Sequence, residues 1–165
     1  MGAIRRRSVL LGASALLAGA LPVAASRAET EPVVLEINGR VPASRRFTLA
    51  DLSALGTTHI RTSTLWTDGI RDFEGVLARK VIEAAGVPLT GKVVARGLND
   101  YTATIPLSDF LDYDVILAWS MDGVPFTRRD KGPLWIVYPR DAHAELADER
   151  LEHRWVWQLA WLTLP

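Results

Sequence analysis

Turn signals cut this chain into segments too short for long helices. Gly39, Gly56, Asp68-Gly69, Gly86-Val87-Pro88, Asn99-Asp100, Asp122-Gly123, Pro133 and Pro139 follow one another at short intervals. Glycine and asparagine tolerate the left-handed backbone of tight turns, and proline cannot continue a helix or a ladder. Between these breaks lie runs that suit strands. Val33–Asn38 (VVLEIN) reads as a strand that turns at Gly39. Thr57–Trp66 is rich in β-branched residues. Lys92–Leu98 and Tyr101–Pro106 flank Asn99-Asp100 as a strand pair. Val115–Met121 is almost continuously apolar, as expected of a strand buried on both faces. Leu134–Tyr138 sits between two prolines.

Arg154–Leu164 reads as one last strand. Trp155, Trp157, Leu159 and Trp161 share one face at period two, and Val156, Gln158, Ala160 and Leu162 share the other.

Helical pattern is sparse. Thr48 and Asp51 make a capping box that starts a short helix to about Leu55. Gly75 is expected to open a second helix, Gly75–Ala85, closed by Gly86 and Pro88. Ser108 is expected to cap a third, through Leu111. Arg40–Arg46 and Val124–Lys131 read as polar loops, and Ala142–Glu152 as an acidic surface excursion. The fold class is therefore α+β, β-rich, with mixed or antiparallel sheets and a few short helices.

The first residues carry an address. Arg5, Arg6 and Arg7 precede an uncharged run through Ser26. That is the pattern of a cleaved export signal, with small-x-small sites at Ser26-Arg27-Ala28 and Val23-Ala24-Ala25. Arg6-Arg7-Ser8-Val9-Leu10 also resembles a twin-arginine signal. We expect residues 1–28 to be removed and residues 29–165 to form a single domain in the periplasm. Removal takes away four arginines and leaves 15 basic against 19 acidic residues, a formal charge of −4. Nucleic acid is excluded as a partner on that balance. The absence of cysteine removes a thiol nucleophile, a thiolate-bound metal and an iron–sulfur cluster from consideration.

No HExxH, P-loop, GxGxxG or GxSxG pattern occurs. His59, His143 and His153 lack the spacing of a metal site. Asp112/Asp114 and Asp148/Glu149 read as solvated loop charges. The candidates that remain are arginines near strand ends and tryptophans near turns. Arg61, Arg71, Arg128, Arg129, Lys131 and Arg140 can fork onto anions. Arg61 and Arg140 lead, because apolar segments flank them. Trp155, Trp157 and Trp161 read as packing residues. Trp66 and Trp119 stand at positions where an indole can stack on a planar ligand.

Seven stretches, in order, resemble the oxidoreductase molybdopterin-binding domain, the fold of sulfite oxidase. They are Val33–Val41, Phe47–Leu55, Phe73–Val87, Ala95–Leu107, Ile116–Phe126, Lys131–Pro139 and Arg154–Leu164. The resemblance implies that fold and molybdopterin as cofactor. It also implies a molybdenum-binding cysteine near Ser63–Leu65, where this chain has none. Trp135 stands where the family's enzymes often carry Arg. The reading that follows is a short, non-catalytic binding, sensing or accessory module. Its pocket would be built from Arg61, Ser63, Trp66, Asn99, Tyr101 and Arg140. It would take a small anionic or aromatic ligand and serve a membrane-bound sensor or redox partner. The alternative is an atypical molybdopterin-dependent oxidoreductase, with Ser63, Thr64 or a substrate oxygen on the metal.

Overall fold

A computed structural model describes residues 31–165; the expected signal, residues 1–28, lies outside the described residues. Two five-stranded sheets account for most of the chain. The first runs in the order β2 (Arg45–Thr48), β1 (Val33–Gly39), β10 (Leu159–Leu164), β5 (Lys92–Gly97) and β6 (Thr102–Pro106). Its one parallel pair joins β1 to β10, with Glu36 opposite Trp161 and Gly39 opposite Leu164. The second sheet places β3 (Thr58–Ser63) beside β4 (Ile70–Leu77) and β4 beside β7 (Ile116–Met121). The other edge of β7 is shared by β8 (Val124–Pro125) and β9 (Trp135–Val137). Three short helices, α1 (Leu49–Ala54), α2 (Ala78–Ala84) and α3 (Asp109–Asp112), sit on the connections.

The burial pattern follows the side-chain alternation of strands. Leu35 and Ile37 on β1, and Val93 and Ala95 on β5, are buried while their neighbours are not. Ile116, Leu117 and Ala118 are buried in succession, as a strand covered on both faces requires. The core is one contiguous cluster drawn from both sheets and all three helices.

Several local expectations hold. Thr48 accepts from the Asp51 N–H at 3.1 Å, and Asp51 Oδ2 accepts from the Thr48 N–H at 2.8 Å. Helix α2 ends in a Schellman motif. Gly86 is left-handed at φ 73°, its N–H donates to the Glu83 carbonyl, and the Val87 N–H donates to Ile82. Asp122 and Gly123 both take positive φ, the geometry of a two-residue hairpin turn.

Other expectations are corrected. Gly75 does not open a helix: it lies inside β4, and α2 begins at Ala78. The ladder shifts register between Glu74 and Gly75, and the two strands approach so closely there that a Cβ on Gly75 would lie 2.7 Å from Ala118 Cα and closer still to the Leu117 carbonyl oxygen. Gly75→Ala is expected to cost about 1–3 kcal/mol, the range for overpacking. A lower urea midpoint at unchanged m-value would register it, and an unchanged midpoint would remove the argument. Arg45–Thr48, read partly as loop, is an edge strand whose outward arginines protect it from further pairing. Val124–Pro125 likewise pairs briefly rather than looping. Ser108 makes no side-chain cap on α3.

The last strand is shorter than its alternation implies. Glu149–Arg154 is 3-10 helix, and only Leu159–Leu164 is strand. The break falls at Gln158, whose φ is 52°. Its N–H donates to Lys131 O at 2.8 Å, its amide to Arg128 O at 2.8 Å and Asp130 O at 3.1 Å, and its own carbonyl accepts from Leu98. Those bonds hold a backbone conformation that a non-glycine residue adopts only when its surroundings impose it.

Candidate functional site

The turn after β3 and the end of the β5–β6 hairpin come together against the segment 152–157. Between them is a cavity of about 200 Å³ lined by Trp66, Asn99, Tyr101, Glu152, His153, Trp155 and Trp157. Trp66 follows Thr64, whose hydroxyl accepts from the Trp66 N–H at 3.0 Å and lies 2.9 Å from the Thr67 hydroxyl. This local turn fixes where the indole departs from the strand. Trp66 meets Trp157 edge to face, with centroids 5.4 Å apart and planes at 84°. Trp155 stands 6.0 Å from Trp66. Trp135, fully buried, backs the group 6.1 Å from Trp66.

The hairpin supplies the other wall. Asn99 Oδ1 accepts from the Tyr101 N–H at 3.1 Å, and Asp100 takes a φ of 63° to close the turn. The Tyr101 hydroxyl donates to the His153 carbonyl at 3.0 Å and so ties the hairpin to the 3-10 segment. That segment is anchored from the far side. Arg154 Nη1 donates to Asp109 Oδ2 at 2.7 Å, and the same oxygen accepts from the Tyr138 hydroxyl at 2.9 Å. Burial, and then the Asp109 charge, hold the Tyr138 phenol well above its ordinary pKa. The cavity opens outward past Trp66 and Tyr101, which are 36% and 45% exposed.

Three of the six residues expected to form a pocket therefore line this cavity: Trp66, Asn99 and Tyr101. Arg61, Ser63 and Arg140 do not. Arg61 is exposed on β3, opposite Asp72. Ser63 is committed elsewhere, its N–H and hydroxyl donating to Asp141 at 2.7 and 2.6 Å. Asp141 N–H in turn donates to Thr62, which stitches the end of β3 to the turn Arg140–Ala142. The remaining basic candidates also lie outside the cavity lining. Arg71 pairs with Asp122, whose carboxyl is held below the usual range by the Asp72 N–H and, more weakly, by Arg71. Lys131 Nζ lies over the Trp135 and Trp157 rings.

Glu152, His153, Trp155 and Trp157 were not expected in a site. The alternation of the indoles implies sheet packing, but Trp161, expected on the face of Trp155 and Trp157, carries the Arg96 guanidinium 4.3 Å above its ring. Trp119 belongs to a separate groove of about 590 Å³ with Val34, Leu49 and Glu74. There Glu74 accepts from the Ser120 hydroxyl at 3.1 Å.

In the family this chain resembles, the molybdenum is expected on a cysteine thiolate, and a cation suits the phosphate of the pterin. The position where the family places its cysteine offers no thiolate, and Arg140, on the turn tied to it, does not line the cavity. The chain has no cysteine, the Ser63 hydroxyl is used on Asp141, and the Thr64 hydroxyl is used within its own turn. No arginine or lysine lines the cavity. Among the described residues no group of three His, Asp or Glu side chains is placed to hold a metal. These residues do not fit the family's thiolate-bound molybdenum.

Two sheets, one parallel pair within an otherwise antiparallel ladder, and an aromatic hollow beside the turn after β3 define an α+β domain of the sulfite oxidase-like molybdopterin-binding fold. The chain belongs to the family described as "Oxidoreductase molybdopterin binding domain", whose sequence model matches residues 20–144. The matched span begins within the expected signal and ends before Glu152, so much of the cavity wall lies beyond it. Among solved structures, the sulfane dehydrogenase SoxCD from Paracoccus pantotrophus is similar in fold, with a TM-score of 0.58 and 23% identity. The likeness covers 78% of this chain but only 37% of that one. Comparison with curated proteins gave no match.

Proposed function

We propose that this domain is an exported, non-catalytic small-ligand-binding module that reports to a membrane-bound sensor or redox partner. The observation that carries the reading is the cavity itself. It is solvent-facing, walled by indoles, and sits beside the turn where the family's metal-binding cysteine is missing. At about 200 Å³ it is smaller than the roughly 300–1,000 Å³ of sites for drug-sized molecules, so the ligand is small. The basic and then apolar run in residues 1–28 supports export.

Of the anionic and aromatic ligands expected, a lining without arginine or lysine favours the aromatic one. The competing reading, an atypical molybdopterin-dependent oxidoreductase, follows from the family alone. Protein purified from the periplasm of a molybdenum-replete host decides between them. We expect far less than one molybdenum per chain by mass spectrometry, and near-stoichiometric metal would overturn the non-catalytic reading. A small-molecule library screened by thermal shift is expected to yield ligands that raise Tm by several degrees at saturation. Their effect should vanish in Trp66→Ala; shifts that persist in that variant would place the ligand elsewhere.

A further inference from the structure

The lining of the cavity specifies the charge of what enters it. We infer that the site takes a small methylated ammonium ion, with the charge of one nitrogen spread over its methyl groups. This rests on the preceding reading that the cavity is a ligand site. Four of the seven lining residues are aromatic: Trp66, Tyr101, Trp155 and Trp157. Trp66 and Trp157 form a right-angled corner, 84° between planes. The faces of such rings carry negative potential and attract cations, most strongly those that surrender little hydration on entry.

Two further observations give the sign. Glu152 is the one carboxylate in the lining, and its Oε1 is buried with no hydrogen-bond partner among the described residues. That oxygen is enclosed beside the cavity rather than open to it, so the carboxylate acts on an occupant through its charge, which attracts a cation across the cavity wall. The same indole cluster already draws a cation from within the chain. Lys131 Nζ lies 5.3 Å from the Trp135 centroid and 5.8 Å from that of Trp157, although Lys131 itself does not line the cavity. An anion would meet the Glu152 carboxylate in a lining that carries no arginine or lysine. A neutral aromatic would fill the corner but leave the Glu152 charge without a counter-charge in the cavity.

Choline and its uncharged carbon isostere, 3,3-dimethylbutan-1-ol, share a shape and differ in charge. Titrated into the purified domain and followed by tryptophan fluorescence and calorimetry, choline is expected to bind at least tenfold more tightly than the isostere. Glu152→Gln keeps the side chain's size and should weaken choline by at least tenfold while leaving the isostere unchanged. Trp157→Leu should weaken both. Equal binding of choline and isostere would overturn the cation inference and leave the ligand-site reading standing. So would a library ligand that is neutral or anionic, competes with neither probe and loses its thermal shift in Trp66→Ala. If no compound shifts the melting temperature in a Trp66-dependent way, both fall together.

Discussion

Replacing Trp135 by alanine is expected to remove about 3–5 kcal/mol of stability, the range for deleting a large aromatic from a core. For a domain of this size that is a fall in Tm on the order of 10–15 °C. Trp135 is fully buried and touches aromatic neighbours on several sides. Phe73 lies 5.4 Å away at 87°, Phe126 at 6.0 Å, Trp66 at 6.1 Å and Trp155 at 6.4 Å. Edge-to-face pairs of this kind add to the area they bury, and their loss leaves a cavity that a packed core closes only in part. The indole nitrogen has no hydrogen-bond partner. Trp135→Phe therefore sheds a buried, unsatisfied N–H as well as volume, and should cost less than half of what alanine costs. Thermal and urea denaturation read both variants. A loss below about 1 kcal/mol for alanine would mean that the core collapses freely around the site. Because Trp135 backs Trp66, the alanine variant should also bind ligand more weakly.

Asp109→Ala is expected to cost about 3–5 kcal/mol, through charge rather than volume. The carboxylate is buried between Arg154 and Tyr138 and serves both. Without it the guanidinium keeps a charge in a largely enclosed place, and the phenol loses its acceptor. Replacing both partners, Asp109→Leu with Arg154→Met, should recover much of the loss, because the cost lies in the unpaired survivor. A double variant no more stable than the sum of the single losses would show that the two side chains are not coupled. The network also has a pH signature. Burial and Asp109 raise the folded-state pKa of Tyr138 above its ordinary 10.0. A raised folded pKa means stability that is fully present below pH 10 and lost as pH climbs toward the folded value. Tyr138→Phe should lack that part of the alkaline loss, which denaturation at a series of alkaline pH values would measure.

How far the sequence carried the fold depended on whether a segment is shaped by its neighbours in sequence. Strand β1, the β5–β6 hairpin, β7 and the capping box of α1 depend on alternation and adjacent turn residues, and all are legible. Gly75 is not. Its value lies in the close passage of Leu117 and Ala118, which are distant in sequence, and a glycine before a helix looks the same as a glycine in a bulge. The final tryptophans are a harder case. Period-two spacing is real from Leu159 onward, but Gln158 interrupts it through bonds to Arg128, Asp130 and Lys131. Glu152 and His153 reach the cavity because Arg154 is tied to Asp109, 45 residues away. Trp66, Asn99 and Tyr101 could be named because each stands beside a turn. Arg61 and Arg140 stand out by their chemistry and their apolar flanks, and neither says which face of a strand looks into a hollow.

Strand β10 lies in the middle of its sheet, between β1 and β5, although it follows every other described strand in the chain. The β1–β2 and β5–β6 hairpins are each formed from local neighbours, yet they share no edge until β10 slides between them. On a ribosome, the two halves of that sheet wait as separate pieces until residues 159–164 have emerged. The strand that joins the two hairpins is made after both of them. A chain halted before β10 leaves the facing edges of β1 and β5 unpaired, a state prone to pair with other chains.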